Sequence, residues 1–317
     1  MTFSAPPANR PSGTPIHAAQ AAPPPVLRRG VLGGTGVWAL AAVFALAGCA
    51  TPQVPIIRAP AGTTASADVT TARLDAVIAP QGKPTAVEVL LLGEQHNAPE
   101  HHQIEQQVIA VLAARSVLAA VALEMADAGA TTAALNPRSS EADTRLALRW
   151  QEDLWPWADY QPAVMAAVRA GVPVMGANLP AAQFKASMTN SQLDAQLPGP
   201  ALKAQQQLIR LGHCNVLPES QITPMTRVQV AKDMRMARVV GDAAVPGKIV
   251  VLLSGSAHAN RELGVPQHLP KALRAKSVLL LAGDGPDQDK AFDATWGTAA
   301  LPETDYCAGL REQFQPK

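Results

Sequence analysis

Glu94, His96, His101 and His102 crowd within nine positions of the stretch Gly93-Glu94-Gln95-His96-Asn97-Ala98-Pro99-Glu100-His101-His102. Carboxylates and imidazoles at that density can hold a metal ion or relay protons. A second motif of the same shape, Gly255-Ser256-Ala257-His258, lies far down the chain. One Gly-x-x-His is weak evidence, since glycine commonly follows a strand. Two of them, each directly after an apolar run, form a pattern, and Glu124 after a third such run supplies an acid between them.

The runs that carry these residues read as strands. Residues 87–92 (Val-Glu-Val-Leu-Leu-Leu) form a short apolar stretch of the kind buried on both faces of a parallel sheet. Gly93 then permits a turn, and Pro99 with Glu100 opens a helix over residues 100–115. Residues 117–123, 172–178 and 248–253 are further strands, and residues 277–282 are expected to be the last one. Strands alternating with helices predict an α/β fold, with a mostly parallel central sheet and helices on both faces. In such folds ligands bind beyond the carboxyl ends of the strands, where Glu94, His96, Glu124, Asn178 and His258 all fall.

Other segments add candidates. Residues 141–153 suit an amphipathic helix running into Trp155-Pro156-Trp157-Ala158-Asp159-Tyr160, an aromatic corner that serves either as packing or as an apolar platform. Residues 184–211 read as a helical excursion, suited to a lid or to a homodimer contact. It ends at Gly212-His213-Cys214. A helix over residues 224–240 places Gln229, Asp233 and Met236 on one face, where the first two can orient the histidines or Asp233 can pair with Arg235 or Arg238.

The N-terminal part reads as export machinery. Arg28-Arg29, an apolar stretch from 31 to 47 and Leu46-Ala47-Gly48-Cys49 make a bacterial lipoprotein signal, with Cys49 carrying the acyl chains such as palmitate. Ala50 in place of aspartate points to the outer membrane, and Val26 would be a natural translation start. Residues 1–48 are thus leader and signal, 49–69 a lipidated flexible tether, and 70–317 one α/β domain; removing the first 48 leaves 269 of the 317 residues. With 26 basic and 25 acidic residues and no basic run outside the signal, the chain is not built for nucleic acid. Of the three cysteines, Cys214 and Cys307 remain after lipidation. An oxidising envelope favours their pairing, worth on the order of 4 kcal/mol in the chain-entropy model, over metal ligation by Cys214 with His213.

Gly93-Glu94-Gln95-His96 with His101-His102, Leu123-Glu124-Met125, Ala177-Asn178-Leu179-Pro180, Gly212-His213-Cys214, Gln229-x-x-x-Asp233-x-x-Met236-Ala237, Gly255-x-x-His258 and Gly264-Val265-Pro266 together resemble the ChaN family. The resemblance spans roughly residues 74–307. It implies a ChaN/Tiki-like fold, an envelope lipoprotein linked to haem binding and iron uptake, and a site built from both Gly-x-x-His motifs and Glu124. On this reading the aromatic corner backs the ring, Tyr160 supplies a phenolate to ferric iron, and Arg261 clamps a propionate. The wider superfamily implies a rival: a metal-dependent hydrolase with His96, His258 and Glu124 on a divalent ion and Glu94 as the base.

Overall fold

The computed structural model describes residues 66–79, 87–285 and 290–313. The signal, Cys49 and most of the tether lie outside these residues. Helix α1 (Ala67–Ile78) begins inside the segment assigned to the tether, with the Ser66 hydroxyl accepting from Val69 N–H at its start.

Six strands follow: β1 (Val89–Glu94), β2 (Leu118–Asp127), β3 (Val174–Asn178), β4 (Ile249–Gly255), β5 (Ala275–Ala282) and β6 (Ala294–Thr298). They form one sheet in the order β3-β2-β4-β1-β5-β6, and every neighbouring pair is parallel. The sheet is therefore the parallel one expected, but 277–282 is not its last strand. Residues 294–298, Ala-Thr-Trp-Gly-Thr, carry too short and too mixed a pattern to read as a strand, and they gain their place by pairing with β5. Every residue of β1 and β4 is buried, as central parallel strands require.

Helices α2 (Pro99–Ala114), α3 (Glu141–Ala147) and α4 (Trp157–Arg169) follow β1 and β2, with Pro99 in the first turn of α2. The expected helix over 141–153 stops at Ala147, because Arg149 turns left-handed (φ 50°) to send Trp150 back toward Trp155. The excursion comprises α5 (Phe184–Thr189), a 3-10 turn and α6 (Gly199–Gly212), and it docks on α7 (Glu219–Ala243), longer at both ends than expected. The one-turn α8 (Ser256–Ala259) follows β4, and α9 (Ala308–Gln313) is the last element among the described residues.

Alternation along the strands separates two cores. Leu90, Leu92, Leu123, Val251 and Leu253 pack with α1, α2 and α4 on one face. Val89, Leu91, Ala122, Val250 and Leu252 pack with α7 and α8 on the other. Helices thus cover both faces, and the two cores fix the strands that carry the site. Cys214 and Cys307 form a disulfide with a Cα–Cα distance of 5.7 Å, pinning the C-terminal segment to the end of α6.

Candidate functional site

Strands β1 and β4 are neighbours, in register so that Glu94 faces Gly255. This adjacency brings together two histidines that the sequence keeps far apart. Gly93 makes it possible, though not through a turn: it lies within β1 and its φ is not positive. A Cβ there would sit 2.9 Å from Ala259 Cβ and 2.9 Å from Ser256 Cα, so the missing side chain is what lets α8 rest against β1. Gly264 has a similar role, since a Cβ would come within 2.2 Å of the His258 carbonyl oxygen.

Five side chains then form a line of alternating acid and imidazole, Glu94, His96, Glu124, His258 and Asp233. Glu94 Oε1 accepts from His96 Nδ1 at 2.7 Å and from the Tyr160 hydroxyl at 2.9 Å. His96 Nε2 points toward Glu124 Oε2 at 3.8 Å, too long for a hydrogen bond. Glu124 Oε2 accepts from Gly255 N–H at 2.8 Å, and its Oε1 lies 3.2 Å from His258 Nε2. His258 Nδ1 meets Asp233 Oδ1 at 2.5 Å, with the Gln229 amide 3.1 Å away. Gln229 and Asp233 thus orient His258 as their spacing on one helix face suggested; Asp233 pairs with His258 and not with an arginine. Glu94, Glu124, Asp233 and His258 are buried, whereas the His96 side chain keeps 23 % of its surface exposed.

The electrostatics follow from this alternation. Burial alone would raise the Glu94 and Glu124 carboxyls. Contacts with His96 and His102 for the first, and with His258, His96 and Lys232 for the second, overcome it and hold both well below the usual range. Burial opposes the charged form of both relay histidines, yet the neighbouring acids win: His96 is raised, and His258 is pushed up to about 10 by Glu124 and Asp233. Asp233 is raised to about 6 by burial, which His258 only partly offsets.

Around His96 the aromatic corner closes in. The half-buried Trp155 ring meets the His96 ring edge-on, with centroids 4.8 Å apart, and Trp155 and Tyr160 are perpendicular at 6.2 Å. Tyr160, however, is 1 % exposed and gives its proton to Glu94. Burial, then the charges of Glu94, Glu105 and Glu124, raise its pKa, so in this structure it is a phenol that positions Glu94.

Four further candidates stand apart from the line. His101 is fully buried; its Nδ1 accepts from Gln95 N–H at 3.0 Å and its Nε2 reaches Thr298 Oγ1 at 3.1 Å, tying the loop after β1 to β6. Burial lowers its pKa to about 4, as a neutral structural imidazole requires. Asn178 turns its side-chain oxygen onto the next N–H, that of Leu179 (2.9 Å), a loop cap. His213 is buried with Nδ1 2.8 Å from Ile209 O, a helix-end contact. Arg261 lies 3.4 Å from Asp293, so its charge is engaged by a carboxylate of this chain and not poised as a clamp.

Of the set expected to hold a metal, His96 and His258 approach Glu124 at 3.8 and 3.2 Å, and among the described residues a second group, Glu94, His102 and Glu105, has ligand atoms all within 4.8 Å of one another. Sequence reading passed over Glu105 and Lys232. Glu105 had a signal: it follows His102 by three positions on a helix face otherwise carrying Ile104, Val108 and Ile109. Two clefts, of about 220 and 430 Å³, lie along α7 and touch none of the relay.

Residues 83–269, more than half of the chain, match the family described as haem-binding uptake, Tiki superfamily, ChaN. Among solved structures, ChaN of Campylobacter jejuni, described as binding haem cofacially, is 25 % identical with a TM-score of 0.56, over 66 % of this chain and 87 % of that one. A Bacillus cereus protein (12 % identity, TM-score 0.40, 70 % of this chain and 72 % of that) and the type III effector HopBA1 (15 %, 0.37, 80 % and 100 %) are more distant. A comparison with curated proteins finds no match.

Proposed function

The chain belongs to the ChaN family of haem-binding uptake proteins in the Tiki superfamily, and from that premise we propose that it binds haem at the open end of the relay, where His96 meets Trp155. The observation that carries this reading is the disposition of His96. Its Nδ1–H is engaged by Glu94 at 2.7 Å, which fixes the tautomer and leaves Nε2, beyond hydrogen-bond reach of Glu124, as a ligand atom on a partly exposed side chain. A carboxylate behind a histidine raises the basicity of the ligating nitrogen. Tyr160 braces the same Glu94 oxygen, and Trp155 offers an apolar wall to a flat ring. This donor set fits haem, which would bring the iron centre that His96 meets.

The role we assign is iron acquisition at the cell envelope, with the mature chain lipidated on Cys49 and held at the outer membrane. The cofacial haem binding described for the Campylobacter jejuni protein leads us to propose a homodimer, in which a second copy covers the outer face of the ring.

Titrating the purified chain with haem and following the Soret band tests the proposal. A saturable shift that His96→Ala weakens by at least about 100-fold, the upper end of what losing a metal ligand's outer partner does, supports His96 as the ligand. A shift unchanged in His96→Ala but lost in Tyr160→Phe would restore phenolate ligation and overturn this reading.

A further inference from the structure

Glu94 faces two ways. Its Oε1 serves His96 and Tyr160, while its Oε2 lies 3.0 Å from His102 Nε2, on the side of the sheet covered by α2. Next to it is Glu105, fully buried, and among the described residues no hydrogen-bond donor reaches either of its oxygens; the group interacting with it is the Glu94 carboxylate itself. His102 and Glu105, three positions apart, leave the same face of α2. That face otherwise buries Ile104, Val108, Ile109 and Leu112, where an imidazole and a carboxylate are costly unless something neutralises them.

His96 and His102 serve Glu94, but the second carboxylate brought against it out of water, Glu105, still needs a positive partner, either a shared proton or a cation. A proton satisfies only the acids. A cation uses the third donor as well, since the ligand atoms of Glu94, His102 and Glu105 lie within 4.8 Å of one another. The 3.0 Å between His102 Nε2 and Glu94 Oε2 is the spacing of two ligands at right angles, each about 2.1 Å from a first-row metal ion. From this geometry we propose that Glu94, His102 and Glu105 form a binding site for a divalent transition metal of the Mn²⁺, Fe²⁺ or Zn²⁺ class. One imidazole with two carboxylates suits these ions. The site has no thiolate to favour Cu⁺ and too few oxygens for Ca²⁺. Tyr160, donating to the other Glu94 oxygen, holds that carboxylate in position for the ion. The site lies behind His96 and goes beyond haem binding, which it does not require.

The test uses the purified chain stripped with a chelator and titrated separately with MnCl₂, ZnCl₂ and CoCl₂, read by calorimetry and, for Co²⁺, by its visible absorption. One equivalent per chain is expected in the wild type, weakened at least about 100-fold in both Glu105→Gln and Glu105→Leu, with thermal melts confirming that the variants fold. If both fail to fold, His102→Gln serves as the third variant with the same expected loss. His258→Gln, which would remove an ion held at Glu124 instead, should still bind. Absence of binding in the wild type overturns the proposal and leaves a shared proton between Glu94 and Glu105. Binding that survives in the folded Glu105 or His102 variants, or is lost in His258→Gln, also overturns it, because the ion then sits elsewhere. Haem titration of the same samples reads a different band, so failure of haem binding and failure of this site are distinguishable.

Discussion

Glu124, on β2, lies 3.2 Å from the His258 imidazole on α8, and its other oxygen accepts from Gly255 N–H. This one carboxylate therefore joins β2 to the end of β4 and stands between the two Gly-x-x-His motifs. Glu124→Gln keeps the shape and removes the charge between His258 and His96. Breaking a buried pair on one side typically costs about 3–5 kcal/mol. Urea unfolding of the ligand-free protein should show a loss of that order.

Stability should depend on pH through the same pair. The folded pKa of His258, about 10, lies above its ordinary 6.5, so its contribution is fully present below pH 6.5 and is lost as pH rises through about 10. Glu124 works in the opposite sense. Its depressed pKa gives stability that is present above its ordinary 4.5 and lost as pH falls through the folded value. Asp233, raised to about 6, subtracts stability as pH rises from 3.8 to 6. Melting temperature against pH should decline from neutral toward pH 10, and the decline should flatten in His258→Gln.

Haem affinity should rise with pH. His96 lies between Glu94 and Glu124, which raise its pKa above 6.5 against the effect of burial, and a metal centre at Nε2 must displace that proton. Below the raised pKa the affinity should fall by about tenfold per pH unit. Soret titrations from pH 5 to pH 9 check this; a flat profile would mean that His96 does not ligate.

Gly93→Ala should damage the site from a distance. The added methyl would meet Ala259 and Ser256 at 2.9 Å, and α8 must shift to admit it. Overpacking of this kind costs about 1–3 kcal/mol, and moving α8 carries His258 away from Glu124. Thermal unfolding reads the first effect. The second should appear as a lowered His258 pKa in an NMR titration.

Reducing the Cys214–Cys307 bridge should free the C-terminal segment. For the 93 positions that it spans, the chain-entropy model gives about 4.6 kcal/mol. Thiol counting should find two more reactive groups after reductant than before it, and unfolding midpoints should fall in parallel. Tyr306 adds a local reporter, since its hydroxyl accepts from Asn97, next to His96, at 2.6 Å.

Local pattern was enough for the class of the fold and for the strand ends where the chemistry gathers. Apolar runs such as 248–253 have few ways to be buried other than as central parallel strands. Gly-x-x-His after such a run places its histidine at a carboxyl edge wherever the strand lies. The spacing of Gln229 and Asp233 carried their shared face, and the number of cysteines carried the bridge.

Strand order decided the rest. That β1 and β4 are neighbours, and that α8 needs Gly93 bare, are properties of two segments packed together, and neither segment encodes them alone. Burial also reversed roles that residue type suggested. Tyr160, an apparent ligand by composition, is a buried donor to Glu94, its phenolate disfavoured first by burial and then by the surrounding carboxylates. Glu105, an ordinary helix residue by sequence, became the second acid of a converging cluster. A side chain's type fixes which protons and lone pairs it offers. Only the tertiary structure sets the dielectric and the neighbours that determine which of them is used.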